Sequence, residues 1–185
     1  MKTCHSGGAQ GSDTIFENIC IENNYSVCAY SYKTPYHKSP NKVEISEEDF
    51  LEGVEKVKLA NTILKRRPGK YINLLARNWA QVKYSDEIFA ISVLVKSGAN
   101  HKGYINNSPY TMVGGGTGWA VAMGIIENKT IYVFDQIENQ WYAWSYTFMD
   151  FKKIVQPKLT DNFAGIGTRE INEIGIQAIQ NLFEN

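Results

Sequence analysis

The chain has 185 residues, 43% of them hydrophobic, with nineteen Lys plus Arg against nineteen Asp plus Glu and no formal net charge. That length fits one domain with a full core. Electroneutrality argues against general nucleic-acid binding, which needs a basic field, and no apolar run reaches the roughly 20 residues of a membrane-spanning helix. The three cysteines, Cys4, Cys20 and Cys28, lack any CxxC or HxxxH partner spacing, which reads as reduced thiols with no metal site. The first residues, MKTCHSGGAQGSD, have no apolar leader segment. A soluble, cytoplasmic protein is expected.

Lys2–His5 reads as a short strand that runs into glycines. Ser12 or Asp13 then starts a helix whose apolar residues Ile15, Phe16, Ile19 and Cys20 fall at helical spacing. Ser26–Ser31 reads as a strand and residues 32–45, with Pro35 and Pro40, as a loop. Ser46 precedes Glu47, Glu48 and Asp49, an N-cap followed by acids where the helix dipole favours them. That helix runs through Phe50, Val54, Val57 and Ile63 to about Lys65, and Pro68-Gly69 breaks it before another over Tyr71–Val82.

Glu87–Val95 (EIFAISVLV) is the strongest strand, apolar on both faces like a central parallel strand. Residues 96–111 form a long polar loop, and Gly114–Gly118 lead into a helix over about Trp119–Glu127. Thr130–Asp135 and Gln140–Tyr146 read as strands; Trp141 and Trp144 on the latter are assigned to one face, packed against a helix or a second subunit. Asn162–Ile166 is the last strand, and Thr168 is expected to cap a final helix through Ile171, Ile174, Ala178 and Leu182. Strands alternating with helices predict an α/β fold: a single Rossmann-like domain with a mostly parallel sheet flanked by helices.

Three segments repeat one logic of strand, glycine-rich turn and helix: SGGAQGSD (6–13), GGGTG (114–118) and GIGT (165–168). A helix start presents unpaired N–H groups and partial positive charge, and glycines let backbone approach an anion closely. A parallel sheet brings such turns to one edge, where ligands of these folds bind. Neither GxGxxG nor a P-loop occurs.

These segments resemble the SLOG superfamily, which includes the LOG-type phosphoribohydrolases, the YpsA-like proteins and the DNA-processing protein DprA. SGGAQGSD is similar to its SGGAxGxD segment, GGGTGWAVAMGI to its GG-x-GT helix start, and GIGTRE to the G-S-R turn that opens many members, with Thr168 in place of Ser. That turn here lies at the far C-terminus, which resembles the circularly permuted YpsA-like branch. The resemblance implies a pocket for a nucleotide-derived ligand, ADP-ribose-like or a cyclic nucleotide signal. It carries over Ser6, Gly7, Gly8, Ala9, Gln10, Gly11, Ser12 and Asp13 from the first turn, and Gly114, Gly115, Gly116, Thr117, Gly118 and Trp119 from the second. From the third come Gly165, Gly167, Thr168 and Arg169. No cofactor is expected.

The hydrolase members read PGGxGTxxE, and their Glu serves N-glycosidic cleavage. This chain has Val113 for the proline and Trp119, Ala120, Val121 and Ala122 after the turn, with no carboxylate. Binding without turnover is therefore the leading expectation. A phosphoribohydrolase or N-glycosidase using Asp13, Glu17, Asp86, Glu87 or Asp135 is the alternative, and a structural or interaction protein a third. RNWAQVKYSDEIFAI and GGGTGWAVAMGI also resemble uncharacterised proteins encoded by bacteriophages, which implies sequestration of a host immune nucleotide in the host cytoplasm. Homo-oligomers are common among the relatives.

Further candidates come from the residues themselves. Lys65, Arg66, Arg67 and Lys70 cluster at a helix end, where cations suit the dipole and where Arg66, with Arg77, could reach ligand phosphates. His5 precedes the glycines. Asn73 and Asn78 are candidate partners for a base or ribose, Asp135 ends a strand at the ligand edge, and His101 with Lys102 could form a lid. Trp119 either stacks on a base or packs on the sheet.

Overall fold

The structure is a computed structural model and describes residues 2–184. The elements in chain order are β1 (Thr3–Ser6), α1 (Ser12–Glu22), β2 (Ser26–Ser31), β3 (Lys42–Glu44), α2 (Glu47–Leu64), a 3-10 turn at Gly69–Tyr71, and α3 (Ile72–Tyr84). There follow β4 (Glu87–Ser92), β5 (Leu94–Val95), β6 (Asn100–His101), β7 (Tyr104–Ile105), β8 (Met112–Val113), α4 (Thr117–Ile126), β9 (Thr130–Asp135), β10 (Gln140–Ser145), β11 (Asp150–Lys153), β12 (Asn162–Gly167) and α5 (Glu173–Leu182). No helix among the described residues is long and apolar enough to cross a membrane.

Eight strands form one sheet in the order β11-β10-β9-β4-β12-β1-β2-β3. All neighbours from β9 to β3 are parallel, and the antiparallel pairings are those of β10 with β9 and with β11 at one edge. The fold is thus Rossmann-like α/β, as the alternation of elements predicts. The period-2 pleat sorts β4 between two layers: Ile88 and Ala90 meet α2, α3 and α4 on one face, and Phe89 and Ile91 meet α1 and α5 on the other. Phe16, Phe89 and Phe163 are fully buried in the second layer, each worth about 1.5–3 kcal/mol of transfer free energy. In the first layer α2 and α3 cross so closely that a Cβ on Gly53 would lie 2.2 Å from the Ala76 carbonyl oxygen. Ser46 caps α2 by accepting from the Asp49 N–H at 3.0 Å.

The sheet changes direction at its centre. From β1 the chain moves outward to β2 and β3; from β4 it moves outward the other way to β9, and β12 lies between. The loops after β1 and β4 lead to helices on opposite faces, so a crevice opens beyond the carboxyl ends of these strands. At the opposite, amino edge of the sheet, Lys2 Nζ sits 5.1 Å from the Tyr25 ring centre and the Phe183 ring packs edge-on to that ring at 5.5 Å.

Several local readings need correction. Thr168 does not cap the last helix. α5 starts at Glu173, and Asn172 is its cap, accepting from the Gly175 N–H at 2.7 Å. Residues 168–172 are a loop, so the third glycine turn does not open directly onto a helix. Trp141 and Trp144 face opposite sides, as three-residue spacing in a strand requires: Trp141 joins the layer of α1 and α5, Trp144 that of α2 to α4. The apolar run over 87–95 divides at Val93, because Leu94–Val95 pair with β8 rather than continue β4. The loop over 32–45 contributes β3 to the sheet edge.

Candidate functional site

A cleft of about 690 Å³ opens at the centre of the sheet's carboxyl edge, and all three glycine turns reach it. Ala9 and Asp13 come from the first, Gly115, Gly116, Thr117 and Trp119 from the second, and Gly167, Thr168 and Arg169 from the third. Four arginines line it (Arg66, Arg67, Arg77 and Arg169) against the one carboxylate of Asp13.

The first turn is closed on itself. Gly8 N–H donates to Ser6 Oγ at 3.1 Å, and Ala9 N–H donates to Asp13 Oδ2 at 3.3 Å. Ser12 donates both its N–H and its hydroxyl to the Thr168 carbonyl. Asp13 is not a helix cap: its second oxygen accepts from Gly167 N–H at 3.0 Å, so one carboxylate ties the turns after β1 and β12 together. Burial pushes the Asp13 carboxyl up to about 6, against the pull of Arg77 and of these two amides.

The second turn is open. Gly115 takes φ +64°, and Gly115 and Gly116 are exposed. Within α4 and its approach, Gly118 N–H reaches Gly114 O and Trp119 N–H reaches Gly116 O. No group among the described residues accepts from the N–H of Gly115, Gly116 or Thr117. Arg66 Nη2 donates to Gly115 O at 2.9 Å, and its guanidinium lies 5.2 and 5.4 Å from the Tyr104 and Trp119 ring centres. Trp119 is thus both packed in the core and set beneath an arginine at the cleft.

Arg77 is the most unusual group of the site. It lies on α3 at 5% exposure, with Nε unpartnered. Its surroundings supply charge but no hydrogen-bond acceptor: burial depresses its pKa first, and Asp13 opposes that. Glycine at position 7 makes the arrangement feasible, since a Cβ there would lie 1.9 Å from Arg77 Nη1 and 2.6 Å from Asp13 Oδ2.

The other predicted residues stand behind or outside the cleft. Ser6 donates to Glu17 Oε1 at 2.7 Å. Gly8 lies under His37, Gly11 against the Arg169 backbone, Gly114 under His101, Gly118 against Val113 O and Gly165 against Phe16. Gln10 and Asn73 are exposed outside it. Asn78 lines the cleft and reaches Gly116 O at 3.5 Å. His5 faces away: its Nδ1 meets Tyr30 Oη at 3.0 Å and its Nε2 meets Asn162 Oδ1 at 2.7 Å, and burial lowers its pKa. Asp135 Oδ1 accepts from Leu94 and Ile137 N–H, holding the start of the 93–116 segment. Lys102 pairs with Glu170 across the mouth.

The sequence reading missed two sets of residues. Leu74 and Gln81 share the cleft-facing side of α3 with Asn78, and Tyr71, the last residue of the 3-10 turn before it, continues the same 3-4-3 spacing, which was legible once the helix was assigned. His37, Ser39 and Asn41 form a buttress around Glu17, which the sequence offered only as a catalytic carboxylate: Ser39 and Asn41 donate to Glu17 Oε2, and His37 Nε2 contacts Gly7 O at 3.1 Å. Nothing in the pattern of 32–41 signals that fold-back. No family model, curated protein or solved structure matches this chain.

Proposed function

We propose that this cleft binds a nucleotide-derived ligand through its phosphate and that the chain holds the ligand rather than turning it over. The observation that carries the reading is the convergence of Arg66, Arg77, Arg169 and the unengaged amides of Gly115–Thr117 on one cleft whose only carboxylate, Asp13, is already bound to two backbone amides. Cations and amides around an apolar floor suit an anion attached to a flat or sugar-like body. The resemblance of the three glycine segments to the SLOG superfamily in permuted order supports the same reading. Sequestering a signalling nucleotide, as a phage-encoded protein in a host cytoplasm would, is the role that fits a binder lacking the glutamate of the hydrolases. Assembly as a homo-oligomer belongs to the same reading.

The hydrolytic alternative rests on Asp13, a cleft carboxyl near pH 6. Its two amide partners hold it in place, which suits a brace better than a proton carrier.

Calorimetric titration with ADP-ribose and AMP, followed by chromatography of the mixture, tests both. The expected result is saturable binding of intact nucleotide, and loss of binding in Gly115→Asp, checked for native melting, where a Cβ meets open space although the left-handed φ strains the turn, and the carboxylate repels the anion. Release of free base or ribose phosphate would favour hydrolysis, and unchanged affinity in Gly115→Asp would refute the pocket.

A further inference from the structure

The cleft holds its positive groups in two places. One is the Arg77 guanidinium, seated beside Gly7 at the end of β1, 5% exposed and with Nε unpartnered. The other is the Gly115–Thr117 turn at the start of α4, with the Arg66 guanidinium fixed on Gly115 O and its Nε also unpartnered. The two arginines enter from different elements, Arg66 from the chain just after α2 and Arg77 from within α3. The first turn lies at the end of β1; the second, which follows β8 in the chain, is held at the end of β4 by Gly114 N–H on Val93 O and the Ser92 hydroxyl on Gly114 O, and β12 separates β1 from β4 in the sheet. Two strand spacings amount to roughly 10 Å. The phosphorus atoms of a pyrophosphate lie much closer together than that.

A single phosphate at the Gly115–Thr117 turn therefore leaves Arg77 desolvated without an acceptor among the described residues, which is costly in a buried setting. Arg77 weighs most here, because no neighbouring side chain or carbonyl supplies an acceptor for it. Between the two seats the cleft floor is apolar, formed by Leu75, Ala120 and Ile166. That floor suits a sugar or base rather than more charge.

Resting on the proposal that the cleft takes a nucleotide, we infer that its preferred ligand carries two phosphate groups held apart by a sugar or nucleoside: one at Arg77, the other at the Gly115–Thr117 turn with Arg66. Joining two anions through a rigid spacer makes the second contact intramolecular, so the gain over a single phosphate is large when the spacing fits and absent when it does not.

The test is calorimetric titration of the full chain with three probes: adenosine 5′-monophosphate, adenosine 5′-diphosphate and adenosine 3′,5′-bisphosphate. The bisphosphate is expected to bind about 30-fold tighter than either other probe. Arg66→Met and Arg77→Met, each checked for native melting, are expected to bring the bisphosphate down to the level of the monophosphate. Equal binding of monophosphate and bisphosphate, or a preference for the diphosphate, would overturn the two-seat inference and leave the nucleotide cleft standing. Failure of all three probes to bind would overturn both.

Discussion

Arg77 offers the sharpest test of whether this cleft is built for a ligand or for stability. Replacing it with Met keeps the length of the side chain and removes the charge. In the folded chain Arg77 is nearly sealed from water, its Nε has no partner, and burial is the largest influence on its pKa. Desolvating an ion costs several kcal/mol, and only Asp13 and more distant groups offset that here. Replacing a complete buried ion pair by apolar side chains is neutral or stabilises by about 1–4 kcal/mol; Arg77 has no carboxylate within ion-pair distance among the described residues, so its removal breaks no such pair and falls toward that range. Against this, Asp13 loses its cation and its carboxyl rises further, which weakens its two amide bonds by about 1 kcal/mol. The net expectation is a gain of about 1–2 kcal/mol, seen as a rise of roughly 3–6 °C in Tm for a domain of this size. Urea melts of both chains give the difference directly. Affinity for adenosine 3′,5′-bisphosphate is expected to fall about 30-fold in the same variant, to the level of the monophosphate. A loss of more than about 2 kcal/mol of stability with affinity unchanged would refute the reasoning and make Arg77 a structural cation.

Asp13 gives a pH signature. Its carboxyl stands near 6 in the folded chain against 3.8 ordinarily, so between those values the folded state holds a proton that the unfolded state releases. Its contribution is complete below 3.8 and is lost as pH rises through 6, at about 1.4 kcal/mol per unit and roughly 3 kcal/mol in all. His5 and His37, both lowered by burial, act with the opposite sign; comparison with Asp13→Asn isolates the aspartate, and a wild-type-minus-variant difference that does not change between pH 4 and 7 sinks the assignment. At the α2–α3 crossing, Gly53→Val would thrust its Cβ to 2.2 Å from a backbone oxygen that cannot yield alone. The helices must separate, at a cost of about 3 kcal/mol and roughly 10 °C in Tm; a drop under about 3 °C by calorimetry would show that the crossing is slack.

Much of this architecture can be read from periodicity. EIFAIS is apolar on both faces because helices cover both sides of β4, and Ser46 with three acids marks the start of α2 through capping and dipole alone. The gathering of the three glycine turns follows from parallel strands. What each turn does does not follow. SGGAQGSD and GGGTG look equivalent as strings, yet Asp13, Ser6 and Thr168 satisfy the first internally, whereas nothing in the described chain engages the amides of the second. That difference depends on partners over 150 residues away, such as Gly167 N–H on Asp13. The displaced cap at Asn172 and the His37 fold-back were hidden for the same reason: an Asn or His among loop residues shows its role only when its acceptor is in place.

The placement of β12 bears on how the chain is made. It is the last strand to be synthesised, yet it lies in the middle of the sheet, joined to β1 across the register Thr3 with Asn162 and to β4 by Phe163 with Glu87. Until it emerges from the ribosome, the nascent polypeptide can form only two separate ribbons, β1-β2-β3 and β4-β9-β10-β11, each with a raw inner edge open to mispairing. The anion cleft straddles that seam. Ligand competence therefore arrives all at once, when β12 has been made, and a ribosome stalled before Asn162 yields a chain with neither a closed sheet nor a site.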